Sequence, residues 1–272
     1  MTETAAARVA AFRRLHEAGC FVLPNPWDVG GARLLQKMGF LALASTSAGA
    51  AWAMGRPDGG VSLEEMLDHL RLLAGATDLP VNADFQNGFA VGPHEVANNV
   101  VLAAATGIAG LSIEDSTGWA ADPLYDFDLA VSRIKAARAA IDVTGSGVVL
   151  TARSEGFIAG RPDLEETLKR LRAYAAAGAD CLYAPGLPDM AMIGAVIEAA
   201  GPKPVNVLVG GPGRTVAELA AAGVRRVSVG GALARAAWGG FVSAAQAINE
   251  DGAFQPFAPI APFTSLNAAF KD

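Results

Sequence analysis

Along most of the chain the hydrophobic pattern repeats one unit: an alanine-rich run with helical spacing, a glycine, then a short, mostly apolar stretch. The junctions read HEAG-CFVL, QKMG-FLAL, AATG-IAGLSI, AAAG-ADCLY and AAAG-VRRVSV. A glycine just past a helix supplies the left-handed residue that ends it at little steric cost. Short apolar strands alternating with helices are what a parallel sheet covered on both faces requires. The pattern predicts strands at Phe21–Pro24, Leu41–Ser45, Val81–Asp84, Leu111–Glu114, Val148–Arg153, Cys181–Ala184, Val205–Val209 and Arg226–Val229. It predicts helices at Val29–Met38, Ser62–Gly75, Pro93–Thr106, Asp126–Ile141, Asp163–Ala177, Asp189–Ala200, Thr215–Ala222 and Gly231–Ile248. Eight such units in about 250 residues match the size and rhythm of a (β/α)8 TIM barrel. The doubly wound open sheet is the competing architecture, but PNPWDVGG follows the first strand where that fold carries G-x-G-x-x-G.

No linker rich in Pro, Gly or Ser and no block of charge divides the chain, so residues 1–272 read as one barrel domain. Beyond about residue 250 the composition changes: the segment after Asn249 holds four of the 12 phenylalanines and three prolines. Such a tail is costly to leave in water and is expected to pack on its own barrel or on a neighbouring subunit. Two uncharged stretches, Met38 to Gly55 and Val96 to Ile113, are long enough to be weighed as membrane spans. Internal glycines, Ser45-Thr46-Ser47 in the first and Asn98-Asn99 in the second make them buried barrel elements instead. The N-terminus, MTETAAARVAAFRRLHEAG, lacks the apolar core and cleavage site of a secretory signal.

Composition narrows the chemistry. With 27 acidic and 21 basic residues the net charge is −6, which leaves no basic excess to hold nucleic acid. Cys20 and Cys181 are the only cysteines and both sit in apolar runs, which fits a reducing cytoplasm and offers neither a disulfide framework nor a metal knuckle. The three histidines fall on predicted helices or a helix start, away from any zinc or Ser-His-Asp pattern. Carboxylates are therefore the groups available for acid, base or metal chemistry.

A barrel carries its active site at the C-terminal ends of its strands, so polar residues that end apolar strands are the candidates. They are Ser45-Thr46-Ser47, Asn82-Ala83-Asp84, Glu114-Asp115 and Arg153-Ser154-Glu155. Asp84 and Glu114 end adjacent strands, about 4.8 Å apart, and can converge on one point. A hard divalent cation such as Mg2+ would relieve their repulsion, and Arg153 beside it would suit a substrate carboxylate or a developing enolate oxygen. The alternative is a buried Asp–Arg network that serves packing alone. Asp28 reads as a helix N-cap, and Asp115 as either a site residue or a salt-bridge partner. The Gly210-Gly211-Pro212-Gly213 turn and Gly230-Gly231 suit either tight turns or a phosphate site.

The segments LPNPWDVGGARLL, STSAGAAWAMGRPDG, PVNADFQNGFA, GLSIEDS, LTARSEGF and PVNVLVGGPGRTVAELAAAGVRRVSVGGALARAA together resemble the isocitrate lyase/phosphoenolpyruvate mutase family. The resemblance covers nearly the whole chain. It implies a (β/α)8 barrel, often with the last helix exchanged between subunits of a homodimer or homotetramer. It also implies C–C or P–C bond chemistry on small 2-oxo acids, through an enolpyruvate-like intermediate stabilised by Mg2+, with Mn2+ as the substitute. Carried over by position, Asp84 matches the second aspartate of the family's D-x-D metal motif, Glu114 the glutamate of its I-E-D strand end, and Arg153 the arginine of its A-R segment. Thr46 and Ser47 fall where the family binds a substrate carboxylate, and Asp58 near the reacting centre.

Two departures stand out. Asn82 occupies the first aspartate position of the D-x-D motif. The loop Ser116 to Leu124 lacks the cysteine that the family's true lyases use as acid/base. The resemblance thus points away from isocitrate or methylisocitrate cleavage and toward oxaloacetate- or phosphonopyruvate-type substrates. A metal-free, phosphate-binding isomerase or aldolase and a non-catalytic barrel with a decayed metal site are the competing readings.

Overall fold

The computed structural model describes residues 3–271. Its first helix, α1 (Glu3–Leu15), buries Ala5, Val9 and Phe12 across the starts of the strands. The Phe12 ring meets Phe21 edge-on at 6.1 Å, and Arg13 Nε donates to Gly147 O at 2.7 Å, so this helix closes the N-terminal end of the barrel.

Eight strands follow: β1 (Phe21–Leu23), β2 (Leu43–Ala44), β3 (Val81–Asp84), β4 (Gly110–Glu114), β5 (Val149–Arg153), β6 (Cys181–Tyr183), β7 (Val205–Leu208) and β8 (Arg226–Ser228). Every pairing is parallel and the order is β1-β8-β7-β6-β5-β4-β3-β2, the (β/α)8 arrangement. The strands are mostly apolar, as burial on both faces demands, but Asn82, Ser112, Thr151, Asn206 and Arg226 are buried polar positions within them. Between them run α2 (Val29–Lys37), α3 (Ser47–Ala53), α4 (Leu63–Ala76), α5 (Pro93–Ala104), α6 (Phe127–Thr144), α7 (Leu164–Ala176), α8 (Met190–Ala200), α9 (Val216–Ala221) and α10 (Ala232–Asp251). All five glycines of the recurrent junction, Gly19, Gly39, Gly107, Gly178 and Gly223, have positive φ, the conformation read from the pattern. Asp28 is an N-cap, its Oδ1 accepting from Gly31 N at 2.6 Å.

α3 and β2 depart from the predicted pattern. α3 begins at Ser47, inside what reads as strand-end loop, because Thr46 Oγ1 accepts from Gly49 N and caps it. β2 shrinks to two residues, and Leu41 at its predicted start lies largely exposed.

β1 and β2 form the seam of the barrel. They share no ladder, but Ala44 N donates to Pro24 O at 3.1 Å. Asn25, 4% exposed, staples the mouth over this seam: its Nδ2 donates to Ser45 O at 2.8 Å, and its Oδ1 accepts from Val229 N and Gly230 N at 2.9 Å. One side chain therefore satisfies three backbone groups from two loops.

α10 behaves unlike the other barrel helices. Of its 20 residues only Ala234 is buried, and Trp238, Phe241, Val242 and Ile248 stay exposed. The chain then runs through a 3-10 turn (Gln255–Phe257) to α11 (Phe263–Ala269), and Lys37 Nζ donates to Lys271 O at 2.8 Å. The tail thus returns to α2 while Phe254 and Phe263 remain exposed. No helix among the described residues is long and apolar enough to cross a membrane.

Replacing Asn25 by alanine strands a buried carbonyl and two half-buried amides. Asn25→Ala is expected to cost about 1–3 kcal/mol and to lower the melting temperature by several degrees in calorimetry. An unchanged melting temperature would show that the staple is dispensable.

Candidate active site

The loops after the strands surround a cavity of about 790 Å³ whose lining includes Thr46, Ser47, Asp58, Asp84, Glu114, Arg153 and Tyr183. Alternation along β3, β4 and β5 directs Asp84, Glu114 and Arg153 toward it. Glu114 stands opposite Arg153 in the β4–β5 register, while Asp84 pairs with Ser112, one step lower. The long arginine side chain bridges that offset. Its Nη1 donates to Asp84 Oδ1 at 2.7 Å and lies 3.2 Å from Glu114 Oε2, while Nε donates to Glu155 Oε1 at 2.8 Å. The Tyr183 ring lies under the guanidinium, 5.0 Å from its carbon, and limits its tilt.

The other oxygen of Asp84 is held from the loop after β2. Ser47 donates to Oδ2 through its backbone N at 2.9 Å and through its hydroxyl at 2.8 Å. Ser45 Oγ in turn accepts from Asp84 N at 2.8 Å. Behind the cavity, Asp115 points the opposite way. It accepts from Glu155 N at 2.8 Å, Arg170 Nη1 at 3.1 Å and Tyr174 Oη at 2.6 Å, which makes it a buried salt-bridge partner and fixes the Glu155 backbone. Arg133 of α6 donates to the carbonyls of Asn87, Ala90 and Val91 and clamps the loop after β3.

One guanidinium here faces the carboxylates of Asp58, Asp84, Glu114 and Glu155. Burial pushes the Glu114 carboxyl up to about 8, with Glu155, Asp84 and Asp58 adding to the rise and Arg153 opposing it. Burial likewise raises Glu155. Asp58 is raised by burial first and then by the Asp84 charge. Burial works against the Arg153 charge, but Glu155, Glu114 and Asp84 outweigh it and hold the group firmly protonated.

Of the residues singled out in the sequence, Asp84, Glu114 and Arg153 meet at one point, and Ser47 joins them through Asp84. Asp58 lies on the cavity wall with Oδ1 accepting from Gly59 N. Thr46 is there too, its hydroxyl committed to capping α3. Asn82 stands apart, one layer below Asp84. Its Nδ2 donates to Ala83 O, and its buried Oδ1 has no partner and faces Gly110, where an added β-carbon would lie 2.7 Å away. The turn 210–213 lies outside the lining, and the start of α9 is occupied by its own capping box, Thr215 with Glu218.

Three further residues line the cavity, and a reading of strand ends reaches only the first of them. Glu155 was visible as the second inward position after Arg153. Tyr183 ends an uncharged strand and carries no polar flag. Gln86 lines the cavity with a φ of +46°, a strained backbone that only the folded loop reveals.

Among the described residues no three of His, Cys, Asp and Glu stand close enough to ligate an ion by themselves. The donor set still suits a hard cation. Three carboxylates exceed what Arg153 neutralises, all donors are oxygens, and Mg2+ needs only one or two carboxylates when water and substrate complete its shell. No cysteine lines the cavity: Cys181 is buried on β6 and Cys20 precedes β1.

The family model for phosphoenolpyruvate phosphomutase matches residues 12–249. A crystal structure of a Burkholderia cenocepacia J2315 protein described as a lyase/mutase is 48% identical and superposes with a TM-score of 0.96, covering 100% of this chain and 98% of the other. An uncharacterised Mycobacterium tuberculosis protein is 33% identical over 96% of both chains. The structure of oxaloacetate acetylhydrolase with its product oxalate is 27% identical, with a TM-score of 0.86, over 97% of this chain and 94% of that one.

The raised carboxyls set a pH dependence. The folded state keeps a proton on Glu114 that the unfolded chain releases near pH 4.3, so this group's contribution to stability falls as pH rises from about 4 to about 8. In chelator-treated buffer the wild-type melting temperature should decline across that window, and Glu114→Gln, permanently neutral, should flatten the decline. Parallel curves for the two proteins would contradict the assignment.

Proposed function

The chain belongs to the phosphoenolpyruvate phosphomutase family, and from that premise we propose that it is an enzyme that makes or breaks a C–C or P–C bond in a small 2-oxo acid through an enolpyruvate-type intermediate, with Mg2+ or Mn2+ as cofactor. The observation that carries the reading is the Arg153 Nη1 shared by Asp84 and Glu114 at the cavity wall. It puts a fixed N–H donor beside oxygen ligands, where charge develops when a 2-oxo acid becomes an enolate. Asp84 and Glu114, with Asp58 nearby, would hold the divalent cation, which when bound supplies charge to polarise the 2-oxo group and offset the carboxylates.

The chain's own groups divide the remaining work. Thr46 and Ser47 take the substrate's first carboxylate, the Ser47 hydroxyl turning to the ligand while its backbone N–H keeps holding Asp84. Arg153 donates to the 2-oxo oxygen as it gains charge, and the Tyr183 ring holds the guanidinium in plane. With oxaloacetate, the C3–C4 bond breaks, its electron pair delocalises onto the 2-oxo oxygen, carbon dioxide leaves, and C3 then takes a proton. Asp58, raised toward the protonated form by burial and the Asp84 charge, is the group at hand to deliver it, since Glu114 would be ionised while it holds the cation. A relative of this fold that is named for oxaloacetate and holds oxalate supports the substrate class. The absence of a cysteine from the lining speaks against a cysteine-acid lyase, and the phosphate-binding reading loses the exposed 210–213 turn and keeps only Gly230 and Gly231, which line the cavity.

The exposed apolar side of α10 supports assembly as a homodimer or homotetramer in which this helix packs on a neighbouring copy. The two unpaired thiols fit a cytoplasmic setting.

Oxalate, an enolpyruvate mimic, should raise the melting temperature with Mg2+ and not without it. A panel of oxaloacetate, phosphonopyruvate and methylisocitrate should yield turnover for one of the first two, and Arg153→Met should reduce it by about 10²–10³-fold. Turnover at the uncatalysed rate for every substrate would end the enzymatic reading. Light scattering should give a dimer or tetramer that Trp238→Glu dissociates, whereas a monomeric wild type would refute the assembly.

A further inference from the structure

Below the mouth the cavity reaches a second polar layer. Arg226, on β8 and 2% exposed, lines its floor with Asn82 and Asn206. Its Nε donates to Asn206 Oδ1 at 2.9 Å, and its Nη1 lies 3.3 Å from His16 Nε2. His16 Nδ1 sits 2.7 Å from Phe12 O and donates there, which leaves Nε2 to accept. Both partners are uncharged, and among the described residues no carboxylate pairs with this guanidinium.

The titratable groups that face it do not supply the missing charge. Burial pushes the Cys181 thiol up. It lifts the Tyr183 hydroxyl to about 12. His16 is driven down to about 3 by burial and by Arg226 itself. Arg153 carries like charge and adds to the burial that lowers Arg226. A guanidinium nevertheless stays protonated at any physiological pH. It is thus a buried cation without an opposite charge, a situation that proteins resolve by pairing. Two more buried polar atoms in the barrel interior are unsatisfied: Asn82 Oδ1 and Thr151 Oγ1, the latter next to Cys181 in the β5–β6 register and without an oxygen or nitrogen partner.

We propose that the floor of the barrel cavity is a binding site for a small monoanion, a halide or a carboxylate, with Arg226 as its counter-charge. Two sources offer that chemistry: a free anion from solvent, or the second carboxylate of an elongated substrate whose other end lies at Arg153. The free-anion source does not depend on the reaction assigned to the mouth, whereas the substrate source rests on that reading.

The test uses the full-length wild type, Arg226→Gln and Arg226→Lys at constant ionic strength, without divalent metal, in chloride, bromide, formate or a bulky sulfonate. A free-anion site predicts a rise in melting temperature of about 3–5 °C for wild type in a small anion at ten times its dissociation constant, relative to the sulfonate. Arg226→Gln should lose the rise, Arg226→Lys should keep part of it, and bromide-soaked crystals should show anomalous density beside the guanidinium. A substrate-carboxylate site predicts instead that succinate affinity, measured by calorimetry with Mg2+, falls at least tenfold in Arg226→Gln while oxalate affinity is retained. If Arg226→Gln does not fold, Arg226→Lys and the bromide density decide. No anion-specific shift, no bromide density and unchanged succinate binding together overturn the proposal, as does a shift that persists in Arg226→Gln.

Discussion

Four carboxylates gathered around one buried guanidinium form the constraint to which the upper half of this barrel answers. In a low-dielectric cavity, like charges a few ångströms apart cannot all ionise, so the group that compensates them decides which do. Arg153 has that role, and its reach from β5 to Asp84 on β3 sets how closely those strand ends must approach. Supporting contacts keep it there. Ser47 and Ser45 fix Asp84, Asp115 with Arg170 and Tyr174 fixes the Glu155 backbone, and Tyr183 lies against the guanidinium. A site built this way is already arranged for developing negative charge before substrate arrives.

The barrel is electrostatically uneven along its axis. Carboxylates exceed cations at the mouth, whereas the floor holds Arg226 among neutral partners. A cation is therefore favoured above and an anion below. A substrate that carries both a polarisable oxo group and carboxylates matches such a cavity better than a neutral one. Ser112 and Ser228, small residues that line the cavity near the floor, stand where bulky branched residues fill the interior of many barrels.

At the β1–β2 seam, where the strands share no ladder, the barrel closes through one backbone bond and through side chains. Asn25 holds the mouth across the β1–β2 seam, and α1 covers the opposite end through Phe12. α10 does not close anything. Apart from the buried Ala234, its large apolar residues are exposed, unlike those of the other barrel helices.

Much of this was legible in the sequence because it depends on local chemistry. A positive φ that ends a helix needs glycine, a doubly covered strand needs mostly apolar residues, and a strand end at a barrel mouth is where an isolated Asp, Glu or Arg has a use. Those requirements placed the eight units and singled out Asp84, Glu114 and Arg153. Tertiary structure decided what depends on distance between segments far apart in the chain. The one-step offset between Asp84 and Glu114 is bridged by Arg153, the Asn82 amide is turned toward Gly110, and Arg226 is left without a counter-charge. Tyr183 and Gln86 belong to that second class, since an uncharged ring and a strained backbone acquire a role only from what the fold sets beside them. Sequence records which groups are present; the net charge and reach at a point in space are sums over strands, and they exist only once the barrel has closed.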